Sequence, residues 1–262
     1  MFFGTGRFAS QEDIADDSQQ SFYGIKEPWE DTSGHENNMV DINTDADGDG
    51  ATDLENEMTW EEVSLSYLMD VSNVIVFDNR NIKNYDGVSF TDVKDLENNV
   101  LDTFDALELE MEKDPYPGNN DPAPHSDIFP NGWKLDFSET RERNLGQAAL
   151  LGDILTFTTY APDPNACQNE GDSYLYATYY KTGTAFSNSV IGLNGDIKDT
   201  DESLEVLRKQ SLGKGLAVSP AMHTGKEQGS KAFVQTSTGA ILVIEQENPG
   251  AVKSGKTYWM EE

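Results

Sequence analysis

An all-β fold with long loops is predicted for this 262-residue chain by three features. Short apolar and aromatic runs bounded by Gly, Asn, Asp and Pro recur along its length. Near the carboxyl end two such runs flank Ser237-Thr238-Gly239, and Phe233, Gln235, Ile241 and Val243 alternate around it with the period of two of a hairpin. Only one stretch carries helical spacing. The length admits one large β domain or two ordinary ones.

The clearest strands are residues 21–26, 73–78, 132–137, 154–160, 173–180, 231–236 and 240–245, each a run rich in β-branched or aromatic side chains. Val93, Leu96, Val100, Phe104, Leu107 and Met111 are spaced three or four apart, which predicts a helix packed on the sheets. Prolines and a glycine in residues 114–124 forbid helix and interior strand, so that stretch is expected as a surface loop, as is 194–203. Neither marks a domain boundary. Repeated hairpins at this spacing suggest propeller blades, although no strict period is present.

Lys and Arg number 18 against 48 Asp and Glu, a formal charge of −30. A chain this acidic repels phosphate backbones and anionic lipid surfaces, so nucleic acid is excluded as an expected partner. The charge suits solubility outside a cell, and a halophilic source would give the same acidity. Cys167 stands alone, which excludes an intrachain disulfide framework and a multi-Cys zinc site. No apolar run approaches the roughly 18 to 20 residues that span a bilayer. Met1-Phe2-Phe3-Gly4 does not read as a signal peptide, so an export signal is expected upstream of this stretch.

The candidate site is Asp45-Ala-Asp47-Gly-Asp49-Gly50-Ala51-Thr-Asp53, within an acidic loop at 41–57. Carboxylates at positions 1, 3, 5 and 9, a bend-forming Gly at position 6 and the backbone oxygen of Ala51 at position 7 match the ligand spacing of a calcium turn. Starting the loop at Asp41 fails because Ala46 then falls at position 6, and starting it at Asn43 fails because Ala51 falls at position 9 and Leu54 at position 12. The loop departs from a full EF-hand in carrying Asn56 at position 12, with Glu57 one residue late. An uncompensated cluster of this kind repels itself, by about 1 kcal/mol per close pair in water and about 4 at a protein surface. The other reading is a solvated acidic turn, which the general acidity of the chain keeps open.

Catalysis finds little support. His35, His125 and His223 have no Cys or His at metal-ligand spacing. Cys167 has no adjacent base. Gly4-Thr-Gly6 does not continue into a phosphate-binding loop. Chance carboxylate pairs are inevitable among 48 acids, so glycoside hydrolysis stays open. Tyr174, Tyr176, Tyr179 and Tyr180 offer either a stacking platform or a strand packed on both faces, the second being the commoner arrangement.

Several blocks together resemble a known family. Phe2-Phe3-Gly4-Thr5-Gly6-Arg7-Phe8, followed by residues 20–26 (QSFYGIK), resembles the "FGTGRY … QSFYGIWD" blade of the PilC/PilY type IV pilus tip-associated adhesins. Residues 131–137 (NGWKLDF) with Arg141-Glu142-Arg143 are similar to its "GWYLDL … GERV" segment, and residues 152–162 (GDILTFTTYAP) with Cys167 and Ser173-Tyr174-Leu175 to its "GGVVFFTTFIP … C … GGSYLY" pair. Residues 234–240 and 254–261 are similar to the final blade and its "SGR…WRE" ending, with Met260 in place of the usual Arg.

The resemblance implies the last blades, about three, of a modified seven-bladed β-propeller in an exported, extracellular, cell-surface protein. It implies a non-enzymatic role in pilus assembly and retraction control, surface attachment and twitching motility, with pilins or other pilus-tip proteins and a host or abiotic surface as partners. The family's calcium loop precedes its GTG strand, whereas the Asp45 loop follows the FYGI strand, so the calcium expectation rests on spacing alone. The region 60–130 has no clear family counterpart and is expected as a helical and loop insertion. An exported propeller enzyme, quinoprotein dehydrogenase-like or a glycan hydrolase with structural calcium, is the alternative.

Millimolar calcium is expected to raise the melting temperature of the purified chain, and Asp45→Ala or Asp49→Ala to abolish the rise; calorimetric titration with no calcium heat up to several millimolar counts against the loop as a calcium site.

Overall fold

Strands form where β-branched and aromatic side chains dominate and break at Gly, Asn and Asp, and the computed structural model describes residues 1–8, 13, 16–26, 67–113, 130–163, 171–192, 194–224 and 230–247. The Asp45 loop, the 114–124 stretch, His35, His125, Cys167 and the 254–261 ending lie outside the described residues. The first strands are β1 (Phe2–Gly4), β2 (Ser21–Ile25), β3 (Met69–Asp70), β4 (Val74–Val76), β5 (Ile82–Tyr85), β6 (Phe90–Thr91), β7 (Val93–Lys94) and β8 (Val100–Leu101). A nine-residue helix, α1 (Phe104–Glu112), follows. Then come β9 (Gly132–Asp136), β10 (Arg143–Asn144), β11 (Ala149–Leu151), β12 (Ile154–Ala161), β13 (Asp172–Tyr179), β14 (Asn194–Lys198) and β15 (Leu204–Val206). Last are β16 (Lys209–Lys214), β17 (Ala221–Thr224), β18 (Ser230–Gln235) and β19 (Ile241–Gln246).

Three larger sheets follow one another along the chain. The first has the order β1-β2-β9-β3, antiparallel except for the parallel pair Met69↔Trp133 and Asp70↔Lys134. The second has the order β10-β12-β13-β16, with β11 also on β12. The third is β17-β18-β19. Smaller sheets, β4-β5-β6, β7-β8 and β14-β15, accompany them. The all-β expectation holds; the described sheets form no closed ring of blades.

The middle sheet is buried on both faces, and the pattern of β12 explains why. Leu155 and Phe157 point into a core shared with Phe22, Trp133 and Leu135 of the first sheet. Ile154, with Leu175 and Ala177 of β13, points into a second core shared with Ala232, Val234 and Ile244 of the third sheet. A strand covered twice loses the polar alternation of a half-exposed one, as the run ILTFTTYA does. Four rings from four strands are arranged in series: Trp133 and Phe22 with centroids 6.1 Å apart, Phe22 and Phe157 at 3.9 Å, Phe157 and Tyr176 at 5.0 Å, all stacked. Each such pair adds about 0.5–1.5 kcal/mol beyond burial. The Trp133 indole N–H donates to the carbonyl of Tyr180 at 2.9 Å, satisfying the one polar atom of the largest core residue.

Two expectations need correction. The helix predicted from Val93 to Met111 exists only from Phe104 onward, where Phe104, Leu107 and Met111 are buried. Upstream, Asp95 accepts hydrogen bonds from the amides of Glu97 and Asn99 (2.9 and 2.8 Å), and Asn98 takes a left-handed φ of 69°. That turn closes the β7–β8 hairpin, and the local side-chain bonds outcompete helical spacing. Thr103 then caps α1 by accepting from the Ala106 amide at 3.2 Å. The stretch 194–203, expected as a plain loop, contains β14 paired with β15; Asp199 organises the turn by accepting from the amides of Asp201 and Ser203 (2.8 and 2.9 Å).

The carboxyl-terminal hairpin is present, with Phe233 opposite Val243 and Gln235 opposite Ile241. Its buried face is the complementary set Ala232, Val234 and Ile244, while Ile241 and Val243 are exposed. Period two identifies the two faces but not which one is covered.

Trp133→Ala is expected to cost about 3–5 kcal/mol in denaturant unfolding. Gly24→Ala, whose added methyl would meet the Trp133 ring at 2.3 Å, is expected to cost about 1–3 kcal/mol through overpacking.

Candidate functional site

The sequence-predicted calcium ligands Asp45, Asp47, Asp49, Ala51 and Asp53 lie outside the described residues. Among the described residues, no group of three or more His, Cys, Asp or Glu side chains is arranged to hold a metal ion. His223, on β17, is exposed and meets the Phe233 ring edge-on at 6.4 Å. Of the four tyrosines, Tyr176 and Tyr179 are buried and Tyr174 and Tyr180 half-buried, so β13 is packed on both faces rather than presenting a platform.

Polar chemistry concentrates at two places. At the first, the turn after β9 buries Glu142 and Arg143 beside each other. The Glu142 carboxylate accepts from the Thr159 hydroxyl (2.5 Å), the Tyr176 hydroxyl (2.9 Å) and the Lys209 ammonium (2.9 Å). Lys209 also sits 3.9 Å over the Tyr174 ring. Arg143 donates to four carbonyl oxygens, those of Arg7 (2.5 Å), Asp13 (2.8 Å), Asp16 (2.9 Å) and Arg141 (3.0 Å). Charge-assisted bonds of this kind are strong, and each removes an otherwise orphaned acceptor. The node ties the amino-terminal segment to the middle sheet. Its role is mechanical, since every polar group points at protein.

Burial pushes the Tyr174 phenol up to about 12, with Glu139 adding to the effect. Burial, followed by the charge of Glu142, holds Tyr176 well above its ordinary value. Burial and then the hydrogen bond to Glu108 do the same for Tyr179.

The second place is a surface depression in two contiguous parts that share Asn73 and Tyr85. One part adds Asp70 and Asn84, the other Glu205 and Arg208. The Arg208 guanidinium donates to the carbonyls of Val71 (2.9 Å) and Ser72 (2.5 Å). Burial disfavours its charge, against the opposing influence of Tyr176, Glu205 and Asp70. Burial also raises the Glu205 carboxyl above its usual range, with Arg208 pulling the other way and Asp196 adding to the rise. Burial opposes ionisation of Asp70 as well, but the Ser72 hydroxyl and amide and Lys134 outweigh it and hold that carboxyl low. These residues come from β3 to β5, from β15 and from the turn after it, and carry no sequence motif. Only tertiary proximity identifies them.

No protein-family model matches the chain, and no curated protein matches it. Among solved structures, the crystal structure of the Pseudomonas aeruginosa PilY1 C-terminal domain is similar at 15% identity with a TM-score of 0.43, covering 95% of this chain. The chain spans 41% of the length of that structure.

The contribution of these tyrosines to stability is expected to be intact below pH about 10 and to fall above it. The folded chain holds the protons of Tyr174, Tyr176 and Tyr179 more tightly than the unfolded chain, so the unfolded state gives them up first and gains as pH rises toward the folded-state values. Tyr176→Phe is expected to cost about 1 kcal/mol at pH 7 and to make the alkaline loss shallower, as read from unfolding curves across the alkaline range.

Proposed function

We propose that the chain is a carboxyl-terminal, blade-forming portion of a type IV pilus tip-associated adhesin of the PilC/PilY kind. It acts in pilus assembly and retraction control, surface attachment and twitching motility, without catalysing a reaction. The supporting observation is where the family-like blocks lie. The blocks at residues 2–8, 20–26 and 131–137 are on β1, β2 and β9, neighbours in a single sheet despite more than a hundred residues of separation. The blocks at 152–162 and 173–175 are on β12 and β13, which pair over eight residues. The family-like residues Phe22, Trp133 and Phe157 stack in series at the junction of these sheets, and Arg143, on β10, joins its block to the first through the Arg7 carbonyl.

In this reading the three larger sheets are consecutive blades of a seven-bladed propeller whose remaining blades belong to a longer exported protein. The Asp45 to Asp53 loop takes up calcium outside the cell, where millimolar calcium fills weak sites. Ordering of that loop by the metal alters the surface offered to pilins, other tip proteins or the host and abiotic surfaces. No helix among the described residues is long and apolar enough to cross a membrane.

Deleting the coding sequence from the source organism is expected to abolish surface piliation or twitching, with recovery on complementation. Unchanged piliation, attachment and twitching in the deletion strain would rule the reading out.

A further inference from the structure

The depression shared by Asn73 and Tyr85 presents donors and acceptors that the protein itself does not pair. Glu205 and Arg208 both line it, yet among the described residues no carboxylate comes within 4.0 Å of the Arg208 nitrogens. The Glu205 carboxylate and the Asn73 side-chain amide likewise make no hydrogen bond among the described residues, although Glu205 is half-buried. Arg208 is fixed in place by the Val71 and Ser72 carbonyls, which occupy only part of its five-donor fork. A rigid donor and an unpaired acceptor thus face one space without touching. A group that accepts from one and donates to the other fills that space, and a hydroxyl does both.

The rest of the lining selects the ligand. Asp70 and Asp86 line one part and disfavour an anion there, as does the formal charge of −30. In the part that holds Arg208 and Glu205 the one guanidinium balances the one carboxylate, so its lining carries no net charge to hold an anion or a cation. The amides of Asn73 and Asn84 offer both donor and acceptor, which suits a neutral ligand carrying several hydroxyls. Tyr85 is half-buried, its hydroxyl tied to the Gly87 carbonyl at 2.9 Å and its ring 4.9 Å from that of Phe90. The ring is therefore held still and gives an apolar surface beside the polar groups, the combination that defines small-ligand sites.

We propose that this depression binds a neutral carbohydrate, with one sugar hydroxyl bridging Arg208 and Glu205, a second meeting Asn73, and a C–H face of the ring against Tyr85. The inference stands independently of any role in a pilus, because it concerns direct binding by the chain.

The test is saturation-transfer NMR and calorimetry on the full chain. The probes are glucose, galactose, mannose, N-acetylglucosamine and their β-linked disaccharides, with N-acetylneuraminic acid as the anionic arm and spermidine as the cationic arm. At least one neutral sugar is expected to bind. Asn73→Ala and Glu205→Ala are each expected to weaken binding about tenfold. Asn73 is exposed and makes no side-chain bond among the described residues, so its variant is expected to keep the wild-type melting temperature and reads binding alone. Binding of charged probes only, of no probe, or of neutral sugars with an affinity that neither substitution changes would overturn the proposal.

Discussion

Double burial of β12 and β13 is the constraint from which the rest of the architecture follows. A strand pair that is apolar on both faces leaves its surfaces in water unless a layer covers each side, at a cost of about 25 cal/mol per Å² of exposed apolar area. The first sheet covers one face through Phe22, Trp133 and Leu135, and the third sheet covers the other through Ala232, Val234 and Ile244. The stacked order of the three sheets is thus imposed by the composition of the middle one. The close approach of Phe22 to Phe157, 3.9 Å between centroids, is the narrowest point of that stack.

Such layering brings a problem of its own, because the edges between sheets trap polar backbone. The Arg143 guanidinium resolves it at the amino-terminal edge by meeting four carbonyl oxygens, and Glu142 gathers two hydroxyls and an ammonium beside it. Buried charge is tolerated only when its partners are this complete. Gly24 has the complementary role: its missing side chain lets the Trp133 ring lie against the backbone of β2. Sheet packing, ionic node and glycine contact therefore form one connected unit around the ring series. The depression lined by Asn73 and Tyr85 lies to the side of that unit. There the Glu205 carboxylate and the Asn73 side-chain amide make no hydrogen bond among the described residues, unlike the groups of the node, while Arg208 is held by the Val71 and Ser72 carbonyls.

The strands and hairpins were legible in the sequence because their signal is local. Runs such as SFYGI, GWKLD and ILTFTTYA carry β-branched and aromatic density that no other element favours. The helix was half legible. Spacing of three and four from Val93 to Met111 carried no information about Asp95, whose carboxylate captures two amides and turns the chain before Thr103 starts α1. The 194–203 stretch misled for a related reason: Asp199 reads as loop composition, but in place it holds the turn of a hairpin. Acidic turn residues look alike in sequence whether they end structure or organise it.

Residue order alone determined the all-β class, the position of the main strands, the terminal hairpin and the acidic loop with calcium-like spacing, because each depends on neighbours a few positions apart. Tertiary structure decided which face of β18 and β19 is covered, that Glu142 and Arg143 form a node, and that Asn73, Tyr85, Glu205 and Arg208 share one depression. Those outcomes depend on contacts between residues about 30 to 140 positions apart, such as the 2.9 Å bond from Arg208 to the Val71 carbonyl. Period and composition carry no record of contacts at that range, since they are selected by the packing of whole sheets rather than by any local conformational preference.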